Sequence, residues 1–458
     1  MKNKYFIEDL SRSYITMLFN AIKNCDCQKV IDLIRSSNID VNIIEENLRL
    51  SPLHYAVECG NKDIVITILE HGGDVNLHVG DIQTPIDIAV NACNLDMVKL
   101  LVENGADIDT CIDCEYHYTP LQNAINNNSY EITEFLLLSG ADTDENYTSL
   151  YPLMFAIRNG NKEIVKLLLE YNASTDKIEY GEGYPINLAI RYGNIEIVDE
   201  LLRHGANPNS SYRYSSCLKI PLHQAVYYHR AEIVKLLILY GADVDSKDSN
   251  GNTPMHLAVN EVQEDIIRTL LDSWANVTII NESLSTCLLG CYTTATFPIS
   301  IKEMLISRTV LYKYINEDIS INGLLFNWLI IESDEYSDQY KTECEKEISS
   351  MISYKIGSKC LFDVCFGKVN YKQLIRYLMN NEYCINEYKI YKEMLEKNIL
   401  IAKERNTLIQ DSLSKIDNLI DNKVLSVNNR WSALPVELKH MILCYLSNDD
   451  LKLIVDSK

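Results

Sequence analysis

The sequence lacks long apolar runs and has a deficit of basic residues. No stretch reaches the roughly 18 to 20 apolar residues of a membrane span, and the longest apolar-rich segment, residues 324–331, is interrupted by Asn327. We therefore predict no membrane-spanning segment. Lysine and arginine total 42 against 64 aspartates and glutamates, which gives a net charge of -22. A negatively charged protein repels the phosphate backbone of a nucleic acid, so the composition argues against nucleic acid as a partner.

The motifs of common enzymes and of export are also missing. There is no P-loop, no Gly-x-Ser-x-Gly and no His-Glu-x-x-His pattern, so we predict no catalysis and no cofactor. Glu8 and Asp9 fall where a secretory signal would need apolar residues. We therefore expect most of the 14 cysteines to be reduced thiols. Cys111, Cys114 and His117 are metal-ligand types, but no second Cys or His pair follows at zinc-site spacing. We therefore expect no metal site.

What the sequence does contain is a repeat. With 47% apolar and 23% charged residues, the chain has the composition of a folded protein. A proline followed by an apolar residue recurs every 32 to 36 residues, at Pro52, Pro85, Pro120, Pro152, Pro185, Pro221 and Pro254. The position 20 residues after each proline is held by Gly72, Gly105, Gly140, Asn172, Gly205, Gly241 and Trp274. Connectors of 12 to 16 residues join these constant stretches.

A constant stretch with variable connectors predicts two packed helices and an exposed loop, because an insertion within the pair would rotate its apolar faces out of register. Proline suits the first helical turn, and glycine in the left-handed conformation ends the second helix. Residues 164–169 carry an apolar stripe that needs a neighbouring unit to bury it. We predict an all-α solenoid, with seven units in residues 51–277 and an N-terminal capping unit in residues 1–50.

The seventh unit resembles a known repeat. It reads Gly-Ala-Asp-Val-Asp at 241–245 and Thr-Pro-Met-His-Leu-Ala at 253–258. This pattern is similar to the ankyrin repeat, which implies helix-turn-helix units separated by β-hairpin fingers. The resemblance also implies that His54, His223 and His256, each two residues after its proline, tie the turn by hydrogen bonds. We expect no catalytic role for these histidines.

A second, helical region follows the repeats. Residues 278–425 are predicted to be helical, with the pattern of a degenerate capping repeat at their start and a long helix at 386–423. Residues 426–458 predict two short helices. Helices of this size cannot bury their apolar side chains between themselves, so we expect them to dock on the rest of the chain or on a partner. On pattern alone, this segment fits the last helical hairpin of the body equally well.

The spacing of the last segment, Leu-Pro-x-Glu-Leu-x-x-x-Ile-Leu-x-x-Leu-x-x-x-Asp-Leu, resembles the F-box, through which substrate receptors join the Skp-type adaptor of cullin ubiquitin ligases. The resemblance implies adaptor binding by Leu434, Pro435, Glu437, Leu438, Ile442, Leu443, Leu446 and Leu451. Only two of the three F-box helices are matched. Ankyrin repeats with a truncated F-box are typical of the poxvirus ankyrin-repeat proteins whose C-terminal segment is called PRANC. The chain is similar to this family, which implies a host-directed adaptor.

The resemblance also indicates where a target would bind. In ankyrin folds the fingers and the ends of the first helices line the concave face. Units four to six concentrate tyrosine and arginine there, and these residue types are favoured at interface hot spots. We predict target binding by Arg158, Arg191, Tyr192, Tyr212, Arg213, Tyr214, Tyr227 and Tyr228. On a chain of net charge -22 this patch predicts a partner with an acidic or polar epitope, unless it only reflects the 29 tyrosines of the chain.

Two functional hypotheses result. In the first, the repeats hold a host protein and the F-box-like helices recruit a Skp and cullin ubiquitin ligase, an SCF complex, so that the bound protein is ubiquitinated. The expected location is the host cytoplasm, with the nucleus as an alternative. In the second, the chain is a stoichiometric inhibitor that sequesters a host signalling protein without ubiquitination.

Overall fold

The computed structural model describes most of the repeat region and only part of the C-terminal region. The described residues are 2–37, 40–45, 50–78, 84–110, 118–144, 151–179, 181–214, 217–293, 297–315, 321–353, 355–356, 359–360, 389–394, 396, 400, 404, 407, 411 and 412. The chain divides into two compact units, Met1–Asp243 and Val244–Lys458.

The described residues of the first unit form helix pairs and one short hairpin. Its elements are α1 (Lys2–Lys23), α2 (Cys27–Ser37), α3 (Pro52–Glu58), α4 (Lys62–Glu70), α5 (Pro85–Asn91), α6 (Leu95–Glu103), α7 (Pro120–Asn126), α8 (Tyr130–Leu138), α9 (Pro152–Asn159), α10 (Lys162–Glu170), α11 (Pro185–Tyr192), α12 (Ile195–Arg203), β1 (Tyr212–Tyr214), β2 (Cys217–Lys219), α13 (Pro221–Tyr227) and α14 (Ala231–Leu239). The first helices of neighbouring repeats pack on one another from α3 to α13. The predicted all-α repeat is therefore confirmed.

The second unit continues with helices α15 (Pro254–Asn260), α16 (Glu264–Asp272), α17 (Cys287–Thr293), α18 (Ile299–Tyr314), α19 (Ile321–Glu332) and α20 (Glu335–Ser353), and with strands β3 (Lys355–Ile356) and β4 (Lys359–Cys360). Helix α17 packs on α15, and α18 packs on α16, as the helices of a further repeat would. Among the described residues, none of the helices is long and apolar enough to cross a membrane.

Local sequence explains why each helix begins and ends where it does. A proline opens the first helix of each of the seven predicted repeats. An asparagine caps four of the second helices by accepting a backbone N–H bond of 3.0 to 3.1 Å, as Asn161 does from Ile164. The glycine 20 residues after each proline has a φ between 86° and 96°. Asn172 and Trp274 adopt the same left-handed conformation, with φ values of 64° and 63°. The predicted C-terminal caps are therefore confirmed, including the two that lack glycine.

The core lies between the helix layers. The alanine four residues after each proline is at most 1% exposed, and so are Ile164, Val165 and Leu168 of the predicted apolar stripe. A small residue at the alanine position lets the first helices of adjacent repeats approach closely. Each repeat therefore buries its apolar face against its neighbours, as the pattern predicted.

A ladder of polar side chains joins successive repeats at the base of the fingers. The side chain four residues after the capping glycine accepts a backbone N–H from the next repeat, as Asn76 Oδ1 does from Asp107 at 2.8 Å and Asp109 Oδ1 from Asp142 at 3.0 Å. Asn76 also donates from Nδ2 to the Gly105 carbonyl at 3.1 Å. The Asp or Asn at this position, four residues after the capping glycine, thus has a structural cause, since its side chain satisfies a backbone group that the finger leaves unpaired.

Asn327, which interrupts the most apolar segment of the sequence, is completely buried on α19. Its Nδ2 donates to the Val277 carbonyl at 3.1 Å, and its Oδ1 accepts from the Thr286 hydroxyl. Four residues earlier, Gly323 lies so close to the Thr278 carbonyl that a Cβ there would come within 1.7 Å of its oxygen. Asn327 and Gly323 together fix α19 against the seventh repeat.

Much of the predicted C-terminal region lies outside the described residues. Of the predicted long helix 386–423, the described residues 392–394, 396, 400, 404, 407, 411 and 412 are helical, whereas 389–391 are bends, so the predicted start at 386 is wrong for these three residues. The segment 426–458 and its predicted adaptor-binding residues lie outside the described part of the chain. The domain boundaries at residues 50, 277 and 425 remain predictions.

Candidate binding surface on two fingers

Three of the predicted target-binding residues lie on one finger, and the other five lie at the ends of the first helices α9, α11 and α13. We call residues 174–184 finger A and residues 207–219 finger B. In finger B the strands β1 and β2 pair antiparallel, with Tyr212 opposite Lys219 and Arg213 opposite Leu218. Tyr214 belongs to β1, but its side chain lies outside the described part.

Glu182 of finger A brings three of the predicted residues together. Its Oε1 is 3.4 Å from Arg158 Nη2, and its Oε2 forms an ion pair with Arg191 Nη2. The Tyr212 hydroxyl donates to the Glu182 carbonyl at 3.2 Å. Both arginines therefore share one carboxylate, so the local positive charge is smaller than the sequence suggested. Repeat spacing did not identify Glu182, because it lies in a connector of variable length.

Tyr212 joins the two fingers. Gly183 has a φ of 85°, and a Cβ at this position would lie 2.2 Å from the Tyr212 ring. The same ring meets Tyr184 edge to face, with ring centroids 6.4 Å apart. Burial raises the pKa of the Tyr212 hydroxyl above its ordinary value. The aromatic ring of finger B thus packs where only glycine leaves room in finger A.

Two further tyrosines present their rings to solvent. Tyr227 is 70% exposed and Tyr192 is 48% exposed. Tyr227 contacts Tyr228 edge to face at 5.2 Å, and the Arg191 guanidinium lies 5.7 Å from the Tyr192 ring centroid. Arg213 on β1 is also exposed. These side chains form an open aromatic and polar surface of the kind that carries binding energy in interfaces.

Glu179 lies beneath this surface. It is 6% exposed, and among the described residues its Oε2 has no hydrogen-bond partner. Burial raises the pKa of the Glu179 carboxyl to about 7, Arg158 opposes this rise, and the charge of Glu182 adds to it. Finger A therefore contains a carboxyl group that changes charge near neutral pH.

Other polar residues at the ends of the first helices serve the stack itself. Asn159 Nδ2 donates to the Ile125 carbonyl at 3.1 Å, and Asn127 Nδ2 lies 3.5 Å from the Val90 carbonyl. Both bonds reach the preceding repeat. These asparagines therefore satisfy carbonyl groups at a helix end, which leaves the tyrosines and arginines as the distinctive part of the surface.

The predicted histidine ties are present in two repeats. His54 Nδ1 is 2.8 Å from Ser51 Oγ, and His256 Nδ1 is 2.9 Å from Thr253 Oγ1. Ile220 lies three residues before His223, where the other two repeats have Ser51 and Thr253, and its side chain has no hydroxyl group.

The predicted absence of a metal site concerns Cys111, Cys114 and His117, which lie outside the described residues. In the described part, no three His, Cys, Asp or Glu side chains form a group that could hold a metal.

Residues 389–391 are bound to α18 and α20 by hydrogen bonds. The Glu347 carboxylate accepts backbone N–H bonds of 2.9 to 3.3 Å from Lys389, Ile390 and Tyr391. Tyr391 is completely buried, and its hydroxyl donates to the Ser307 carbonyl at 3.0 Å. Burial raises the pKa of this hydroxyl well above its ordinary value. Residues 389–391 are therefore part of the packed second unit.

Family models match both regions of the chain. Ankyrin repeat models match residues 35–89, 86–137, 121–212 and 211–281. A model described as the PRANC domain matches residues 356–456. This range includes all the residues predicted to bind a ligase adaptor.

Curated relatives and a solved structure are similar to this chain. The ankyrin repeat protein FPV219 of fowlpox virus is 45% identical over 441 residues, which cover 96% of this chain and 99% of the relative. FPV233 of fowlpox virus is 30% identical and OPG025 of monkeypox virus 27% identical, over 51% and 49% of this chain and 52% and 40% of the relatives. The crystal structure of the ankyrin repeat domain of Bcl-3 aligns with 22% identity and a TM-score of 0.43, covering 49% of this chain and 99% of that domain.

Proposed function

The chain belongs to the ankyrin repeat proteins of poxviruses that carry a PRANC domain, and we propose that it is a non-enzymatic substrate receptor of a host ubiquitin ligase. Both kinds of domain are protein interaction domains, so the chain is an interaction adaptor. In the proposed function the repeats hold a host protein and the PRANC domain recruits a Skp-type adaptor with its cullin. The proposed site of action is the host cytoplasm or nucleus.

The observation that carries the target-binding half is the exposed surface of finger B and of the ends of α11 and α13. Tyr192 and Tyr227 present 48% and 70% of their surface to solvent, and Arg213 on β1 is also exposed. Because Arg158 and Arg191 both pair with Glu182, the surface favours a polar epitope with apolar or aromatic side chains over a strongly acidic one. Long-range repulsion between a chain of net charge -22 and an acidic target acts in the same direction.

The ligase-binding half is supported by the spacing of residues 434–451, which the PRANC match includes. Among these residues, Leu438, Ile442 and Leu446 repeat every four positions and would form one apolar stripe of a helix. Joining substrate and ligase in one complex raises their effective concentration, and no chemistry by this chain is needed.

Two variants separate the halves of this proposal. Removal of residues 431–458 is expected to abolish co-purification with the Skp adaptor and cullin from host cells while host target capture continues. The double substitution Tyr192→Ala and Tyr227→Ala is expected to have the opposite effect. Tyr130→Ala is the matched control, since Tyr130 is an exposed tyrosine on α8. Ligase association that persists after the truncation would refute the assignment.

The second candidate is stoichiometric sequestration of a host signalling protein. It is favoured by the fact that fingers A and B both lie in the first unit, Met1–Asp243, so that target binding by these fingers would not require the C-terminal region. Target abundance distinguishes the two functions. Loss of target that a proteasome inhibitor prevents supports the receptor, whereas constant abundance with lost target activity supports sequestration.

A further inference from the structure

The second unit contains a cavity whose role is not explained by the repeats or by the proposed adaptor. It has a volume of about 130 Å³ and lies between α16, α18 and residues 390–394. Leu271, Met304, Ile390 and Met394 contribute an apolar lining, and Arg308 contributes a guanidinium group. A cavity of this size holds about six or seven non-hydrogen atoms, since an engineered cavity of about 150 Å³ binds benzene.

Arg308 is unusual because it is a buried cation. The residue is 4% exposed. Its Nη2 donates to the Leu271 carbonyl at 2.7 Å, and its guanidinium lies 4.8 Å from the Trp274 ring centroid. Among the described residues, Nη1 has no hydrogen-bond partner. Burial lowers the pKa of this guanidinium, and the nearby Asp272, Tyr312 and Tyr391 oppose this change.

Among the charged groups that line the cavity, we consider the Arg308 guanidinium to be the one that would recognise a ligand. At the side of α16, Arg268 is 3.2 Å from Glu264 and 3.9 Å from Glu393, so its positive charge is already compensated by two carboxylates. Asp272 also lines the cavity and attracts Arg308 through space. A buried charge is stable only with partners, and a ligand that brings an acceptor to the Arg308 guanidinium would therefore bind favourably.

We propose that this cavity binds a small carboxylate with a short, branched aliphatic body. The carboxylate would accept from Arg308, and the aliphatic body would contact the leucine, isoleucine and methionine side chains. Such a ligand touches α16 and α18 on one side and residues 390–394, within the PRANC match, on the other. Its binding would stabilise the contact between these two parts of the second unit.

The test compares three probes of nearly equal size on the full chain. These are 3-methylbutanoate, 3-methylbutanamide and 3-methylbutylamine, measured by thermal shift and by isothermal titration calorimetry. We expect the carboxylate to raise Tm by about 3 °C at ten times its Kd, and to bind at least tenfold more tightly than the amide. The amine is expected to give no shift. Equal responses to carboxylate and amine would overturn the proposal.

Two variants locate the site. Arg308→Gln is expected to remove the preference for carboxylate over amide. Ile390→Trp, which leaves Arg308 in place and fills the cavity, is expected to abolish binding and keeps the test decisive if Arg308→Gln fails to fold. Arg203→Gln on α12, which does not line the cavity, is the matched control. Carboxylate binding that persists in Ile390→Trp would refute the assignment.

Discussion

At the scale of a single residue, Glu179 shows how a buried position in a finger changes the pKa of a carboxyl group. Its carboxyl group is buried, and its pKa rises from 4.5 to about 7. The folded protein therefore binds more protons at this site than the unfolded chain does between these two values. Stability from this group is fully present below pH 4.5 and is lost as the pH rises through about 7.

We expect the substitution Glu179→Gln to remove this loss of stability at higher pH, because glutamine does not titrate. The free energy of unfolding of the variant, relative to the wild type, should increase as the pH is raised from 4.5 to 8. Urea denaturation at each pH measures it. Glu103→Gln changes an exposed glutamate on α6 and controls for the loss of one negative charge. Parallel pH profiles for wild type and Glu179→Gln would contradict the raised pKa.

A second prediction concerns Gly183, which has a φ of 85° and lies against the Tyr212 ring. Gly140 has a φ of 96° but open space around the position of a Cβ. Alanine at either site carries the strain of the left-handed conformation, about 1–2 kcal/mol. Only Gly183→Ala must also displace Tyr212 from finger A. We expect the lower urea midpoint and weaker target binding for Gly183→Ala, and equal midpoints would show that the contact contributes nothing.

At the scale of elements, the ladder at the finger bases determines how repeats are joined. Asn76 makes one bond to the Gly105 carbonyl and one to the Asp107 N–H, and both cross to the next repeat. We expect Asn76→Ala to lower the free energy of unfolding by about 1–2 kcal/mol.

Asn104→Ala is the matched control for this prediction, because the Asn104 side chain bonds to Leu100 within its own helix. Chemical denaturation of both variants measures the difference. A smaller loss for Asn76→Ala than for Asn104→Ala would mean that the ladder is not a coupling between repeats.

The sequence could predict the helix pairs because their determinants are local and periodic. Proline, alanine and glycine recur at fixed positions. Proline and glycine are there for their backbone conformation, and alanine is there because its small size lets adjacent helices approach closely. Asn172 and Trp274 also adopt the left-handed conformation of the capping glycines, because the repeat constrains φ at this position more strongly than it constrains the residue type.

The contacts of the candidate surface could not be predicted in the same way. Glu182 lies in a connector of variable length, so no spacing indicates that it meets Arg158 and Arg191. Asn327 was visible only as an interruption of an apolar run, whereas its role depends on Val277 and Thr286, which are distant in sequence. Pairings of this kind depend on tertiary packing, which one sequence does not encode as a pattern.

At the scale of the whole molecule, the dominant physical quantity is the net charge of -22. Repulsion among the excess carboxylates opposes the folded state, whereas ion pairs such as Lys62–Asp96 favour it. The side chains of this pair are 46% and 68% exposed, and exposed pairs contribute only about 0–1 kcal/mol each. Screening should therefore weaken the repulsion more than it weakens the pairs.

We expect thermal stability to rise with salt. Raising sodium chloride from about 10 to 150 mM shortens the Debye length from about 30 to 8 Å. A gain of about 1 kcal/mol would raise Tm by about 2–4 °C, which differential scanning calorimetry detects. Potassium chloride should give the same result if screening is the cause. A fall in Tm would mean that the surface ion pairs outweigh the excess charge.

The ladder bonds at the finger bases run from one repeat to the next, so every rung depends only on its immediate neighbours. Duplication or deletion of a whole repeat during recombination would leave each remaining rung with a suitable acceptor and donor. The array can therefore lengthen or shorten in evolution without redesign of its joints, and selection can act on the tips of the fingers while their bases stay the same.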